Sequence, residues 1–179
     1  MEKISDKIID RAVELWCRKL KKPVFNNGDD SEAGFIGGML ATLNMDVDKV
    51  KIFDMEKSIN IFRKELSIKL KQLRDNLKEG EYFTQFLDVD YSPCKVLAYA
   101  ADKAGIPYSQ FSCKTFISMR KECVTTSFGY GGEHINHYHL GNGKGWLKTS
   151  LSGNVADIEM IKNAVVGDGA LAWDIEVEG

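Results

Sequence analysis

Residues 115–129 read TFISMRKECVTTSFG, and within them the spacing of apolar side chains changes from a helical period to the two-residue alternation of a strand. β-Branched and aromatic residues fill the stretch, which predicts strands near 115–120 and 123–129. The same alternation returns near 133–140, 145–151 and 170–177. In the last of these, Leu171, Trp173, Ile175 and Val177 take one side while Asp174, Glu176 and Glu178 take the other, the pattern of a sheet with one covered face. Trp173 is therefore expected in the core. Gly141, Asn142 and Gly143 tolerate positive φ and predict a reversal between two strands. Val155, Ile158, Met160, Ile161 and Val165 predict a short late helix packed on the sheet.

Upstream the period is helical. Ile4, Ile8, Ala12, Trp16 and Leu20, joined by Ile9, Val13 and Leu15, predict an amphipathic helix over about 5–21 that Pro23 ends. Its last turn holds Arg18, Lys19, Lys21 and Lys22, where cations complement the carbonyl end of the helix dipole. Phe35, Ile36, Met39, Leu40 and Leu43 predict a second helix; Gly34, Gly37 and Gly38 inside it each cost about 1 kcal/mol of helix propensity and so imply close approach of another backbone. Ile59, Phe62, Leu66, Leu70, Leu73 and Leu77 mark one stripe of a long helix over about 54–79, stopped by Gly80. The stretch from Tyr82 to Leu87 is aromatic-rich and predicts a short strand. Ser92 and Pro93 then give the signature of a helix start, and that helix runs through Cys94, Val96, Leu97, Ala100 and Ala101 to Gly105.

The expected fold class is α+β: N-terminal helices followed by an antiparallel sheet of about five strands with a short late helix. With 179 residues, 44% of them hydrophobic, the chain has material for one core, so a single domain over 1–179 is expected, with a helical lobe over about 1–112 and a sheet lobe over about 113–179. The 24 basic and 26 acidic residues leave a formal charge of -2. That balance supplies no field for a phosphate backbone or an anionic bilayer, and no apolar run is long enough to span a membrane. Cys17, Cys94, Cys113 and Cys123 form no CxxC pair and no secretory signal precedes them, which places the chain in the cytoplasm with reduced thiols. No cofactor is implied. Gly143-Lys144 lacks the glycine and the serine or threonine of a phosphate-binding loop, and the glycines near Gly34 follow no predicted strand.

Three groups of residues carry chemistry. His134, His137 and His139 fall in one predicted strand, where His137 and His139 project from the same face and His134 from the other. Two imidazoles are too few for a zinc site, which needs three or four ligands, so no metal is expected; a metal-binding strand is the alternative. The pairs Asp46/Asp48 and Asp88/Asp90 precede predicted helices and are expected to cap them rather than hold a cation. Cys94, in the expected first turn of a helix, lies near unpaired backbone N–H groups that favour a thiolate, and a histidine from a later strand would complete a nucleophile–base pair.

At this point the sequence resembles the NlpC/P60 group of papain-like cysteine peptidases. Asp90-Tyr91-Ser92-Pro93-Cys94, continuing to Ala104-Gly105-Ile106, is similar to that family's nucleophile helix, and His134 through Gly141-Asn142-Gly143-Lys144 is similar to its histidine strand and turn. The resemblance covers about 90–150 and implies a thiol hydrolase using Cys94 with His134 or His137. The chain departs from the family at Tyr91, which stands directly after the aspartate where the nucleophile belongs, and at Ile135, which stands at the histidine's distance from the turn. The family's later polar residue, which orients the histidine, has no counterpart in the neighbourhood Trp146-Leu147-Lys148. No set of nucleophile, base and orienter meets its own geometric requirement, so the expected function is a non-catalytic binding or accessory protein whose partner is another protein.

Overall fold

Helix α1 (Asp6–Lys21) turns a wide face inward, burying Ile8, Ile9, Ala12, Val13, Leu15, Trp16, Cys17 and Leu20, as the spacing predicts. Arg11 is buried with them, and the apolar period alone gives no sign of that. The computed structural model describes residues 4–22, 55–78, 85–141, 145–150, 159–163 and 175–178. The helix expected around Phe35 to Leu43, the pair Asp46/Asp48, the stop at Gly80, Leu171 and Trp173 lie outside these residues.

Helix α2 (Met55–Asp75) buries Ile59, Phe62, Leu66 and Leu70 along the expected stripe. It runs antiparallel to α1, and charges fix that direction. Asp6 pairs with Arg74 and Lys71, Asp10 with Lys71 at 3.2 Å, and Glu14 with Arg63 at 3.2 Å. The acids recur every four residues on α1 and the cations descend along α2, so a parallel alignment would separate them. Each exposed pair stabilises by about 0–1 kcal/mol; their value is in orientation. The Arg74 hydrogen bond holds the Asp6 carboxyl below its ordinary pKa, with the Lys71 and Arg74 charges adding to it.

The helix bearing Cys94 begins later than its sequence signature implies. Helix α3 spans Lys95–Ala104 with Cys94 at the N-cap, while Pro93 bridges Val89. Proline at that bridge extends the chain past the strand before the helix starts. The C-terminal stop is where it was expected. Gly105 is left-handed at φ 66, donates to the Asp102 carbonyl, and lets Ile106 N–H reach the Ala101 carbonyl at 3.0 Å, the paired closure that glycine permits.

Among the described residues six strands, not about five, form one antiparallel sheet in sequence order: β1 (Gln85–Val89), β2 (Thr115–Met119), β3 (Cys123–Phe128), β4 (Ile135–His139), β5 (Trp146–Thr149) and β6 (Ile175–Glu178). The added edge strand β1 comes from the aromatic-rich stretch upstream of α3. Leu87 and Val89 alternate with Phe86 and Asp88, which suits it to a sheet covered on one face. The reversal after β4 begins at Gly141, φ 81.

Opposed residues in the register share a face. One face carries Leu87, Val89, Ile117, Met119 and Val124, which join α1, α2 and α3 in a single buried cluster. The other carries Phe86, Asp88, Phe116 and Ser118 at its β1–β2 end and the buried Cys123, Thr125, Asn136, Leu147 and Thr149 toward β5. A helical turn over 159–163 stands by this second face, where Lys162 lies over the Tyr138 ring. Two residues of β6 depart from the expected alternation: Val177 is 52% exposed, whereas Glu178 points to the helical layer and pairs with Arg11; Glu176, on the same face as Glu178, is exposed as expected. A buried guanidinium outweighs the apolar preference of the strand, because leaving it unpaired costs several kcal/mol.

Phe62 is fully buried and meets the Phe111 ring edge-on at 6.0 Å. Phe62→Ala should therefore destabilise the fold by about 3–5 kcal/mol in urea denaturation, while Ile68→Ala, on the exposed side of the same helix, should stay within about 0.5 kcal/mol of the parent.

Candidate functional site

Cys94 leaves the end of β1 on its outer edge. Its N–H donates to the Asp88 carbonyl at 2.9 Å, its own carbonyl accepts from Ala98, and its thiol points to the Phe86 carbonyl at 3.8 Å. The thiol thus sits at the N-cap and not within the first turn. His137 lies in β4, three strands across the sheet from β1, roughly 14 Å of strand spacing. His134 immediately precedes the same strand, is exposed, and makes no hydrogen bond among the described residues. The structure does not bring Cys94 together with either histidine.

His137 has other partners. Its Nδ1 accepts from the Arg11 guanidinium at 3.1 Å, and its Nε2 meets Thr126 Oγ1 at 3.3 Å, which fixes the neutral tautomer with the proton on Nε2. Arg11 also pairs with Glu178, which receives Arg18 at 3.2 Å, and lies 5.0 Å over the Trp146 ring. His139 shares the face of His137, as expected, but caps the turn by accepting from Gly141 N–H at 2.9 Å and packs edge-on against Trp146. Among the described residues no three histidine, cysteine or acidic side chains converge on a metal position. The cluster around Arg11 joins α1 to the last three strands; both ring nitrogens of His137 are already used, so its geometry is that of a fastening.

Burial and then the Arg11 charge push His137 down to about 4 from 6.5, against the opposing pull of Glu178. Burial raises the Glu178 carboxyl, but the Arg11 hydrogen bond and the charges of Arg11 and Arg18 outweigh it and the net shift is downward. Burial raises the Cys17 thiol to about 11 and raises that of Cys123.

A second constellation lies at the opposite end of the sheet. Lys114, just before β2, is held at φ 53, where a side chain is rarely found. Both of its backbone groups are engaged: N–H donates to the Asp90 carbonyl at 3.1 Å and the carbonyl accepts from Gly129 at 2.8 Å. Asp90 therefore ties a loop together rather than capping α3, and Asp88 lies within β1 on the face away from the helices. Gly129 and Gly131 follow at φ 77 and 74, and a Cβ on Gly132 would stand 1.8 Å from the Phe128 carbonyl oxygen. These four positions set the path of the chain around Tyr130. Its ring is 64% exposed, 6.2 Å from Phe116 and beneath the Lys114 ammonium at 5.1 Å, and its hydroxyl donates to the Asp90 carboxylate. That hydrogen bond, with burial and the Asp90 charge behind it, raises the Tyr130 pKa. Tyr91 and Phe86 stand nearby in sequence and register, also exposed. The apolar periods give no sign of this group; its signal in the sequence is the run Gly129-Tyr130-Gly131-Gly132, where three glycines frame one aromatic.

Comparison with protein-family models, with curated proteins and with solved structures gave no match.

His137 is neutral in the fold and titrates at 6.5 when unfolded, so the unfolded chain binds the extra proton first. Stability should be full above pH 6.5 and should fall by on the order of 3 kcal/mol as the pH drops toward 4. Urea midpoints measured across that range should show the decline, and His137→Gln should flatten it.

Proposed function

We propose that the chain is a non-catalytic binding protein that contacts another protein through the β1–β2 end of its sheet, with Tyr130 as the central anchor. The observation that carries this is the backbone around Tyr130. A left-handed lysine is a conformation that persists only where surrounding structure holds it, and such residues gather where a protein makes contacts. Tyrosine presented in this way offers a large amphipathic ring that loses little entropy on binding. Tyr91 and Phe86 widen the aromatic area, and the carboxylates of Asp88 and Asp90 on the same surface disfavour phosphate, which supports a protein partner over a nucleic acid. Among the described residues no helix is long and apolar enough to cross a membrane. The four free thiols support a reducing compartment such as the cytoplasm.

The test places a photo-crosslinking phenylalanine at position 130 in the source cell and, as a control, at Ile68 on α2. A discrete protein adduct at 130 and not at 68 is expected. The captured protein, purified, should bind the wild-type chain at least tenfold more tightly than Tyr130→Ala, the loss typical of a central aromatic contact. Unchanged affinity in that variant, or no adduct at 130, would count against the surface.

A further inference from the structure

We propose that the partner bound at this surface presents an arginine, whose guanidinium seats on the Asp88 carboxylate between the rings of Phe86 and Phe116; this rests on the protein-contact surface described above. Asp88 is directly opposed to Phe116 across the β1–β2 ladder, and Phe86 precedes it by two residues on the same face. Directly opposed side chains stand about 5 Å apart at Cβ, and i,i+2 neighbours on one face about 7 Å. A single planar cation spans that distance.

The charges near Asp88 are unequal in a way that favours this seat. Asp90 is already engaged by the Tyr130 hydroxyl, and the Lys114 ammonium already covers the Tyr130 ring. The Asp88 carboxylate, only partly buried, makes no ion pair or hydrogen bond among the described residues. An anion flanked by two aromatic rings and lacking a cation among the described residues is complementary to a group that is both flat and positive. Guanidinium meets a carboxylate through two parallel N–H donors and stacks its face on a ring. An ammonium does the first as a point charge and stacks less well, because it is more strongly hydrated. The seat should therefore prefer arginine to lysine.

The experiment measures fluorescence anisotropy of labelled ten-residue peptides alternating glycine with arginine, lysine, citrulline or glutamate, at 0.15 M salt, so that long-range attraction is screened. The arginine peptide should bind at least tenfold more tightly than the citrulline peptide and more tightly than the lysine one. Asp88→Asn, nearly isosteric and checked for folding by circular dichroism, should remove that preference, and Phe86→Ala should weaken it severalfold. Equal binding of arginine and citrulline peptides, or an arginine preference that survives Asp88→Asn, would overturn the proposal. The partner captured at position 130 separates the two levels. If its affinity depends on Tyr130 but not on Asp88, the contact surface stands and the arginine seat falls; if it depends on neither, both fall.

Discussion

A guanidinium enclosed between a helix and a sheet must find its countercharge within the fold, and Arg11 imposes that demand on the last three strands. It is 5% exposed, and its partners come from β4, β5 and β6: His137, Trp146 and Glu178. The helix that carries it is held from the other side by α2. The inward turn of Glu178 and the neutral state of His137 are consequences of one placement. Replacing such a cluster with apolar residues need not reduce stability, which suggests that its contribution is to arrangement: α1 can sit over the sheet in one register only.

Much of the fold was legible in the sequence because it rests on local chemistry. The buried stripes of α1 and α2, the glycine stop at Gly105 and the two-residue alternation of β2 to β5 need only neighbours close in the chain. What was not legible depends on partners far away. Glu178 reads as the polar side of an amphipathic strand until Arg11 is known to be buried beneath it. Pro93 reads as a first helical residue until Val89 is seen to bridge it, and that one shift moves Cys94 from the first turn to the cap. The histidines illustrate the same limit: their clustering within six residues of sequence drew attention to them, yet the fold gives each different work, one fastened under α1, one capping a turn and one exposed.

The two ends of the sheet contrast in how they treat charge. Toward β6 the helical face is filled by Arg11, Arg18 and Glu178, with Lys148 and Glu176 paired at 2.9 Å beside them. Toward β1 the opposite face carries exposed rings and carboxylates, and the conformational cost is in the backbone at Lys114. Structure in the first region is secured by side chains that satisfy one another; in the second a constrained main chain leaves side chains facing outward. That division separates what holds the molecule together from what it can offer to another.

The Arg11–Glu178 contact spans 167 positions of chain, whereas each strand pairs only with its neighbours in sequence. On the ribosome, the meander from β1 to β5 can assemble as it emerges, hairpin by hairpin. Arg11, made 167 positions before Glu178, does not meet that carboxylate until Glu178 has cleared the exit tunnel. Until then α1 lacks the countercharge of its buried face, and its seating on the nascent sheet in the final arrangement waits for the last strand, which lengthens the time that face stays exposed.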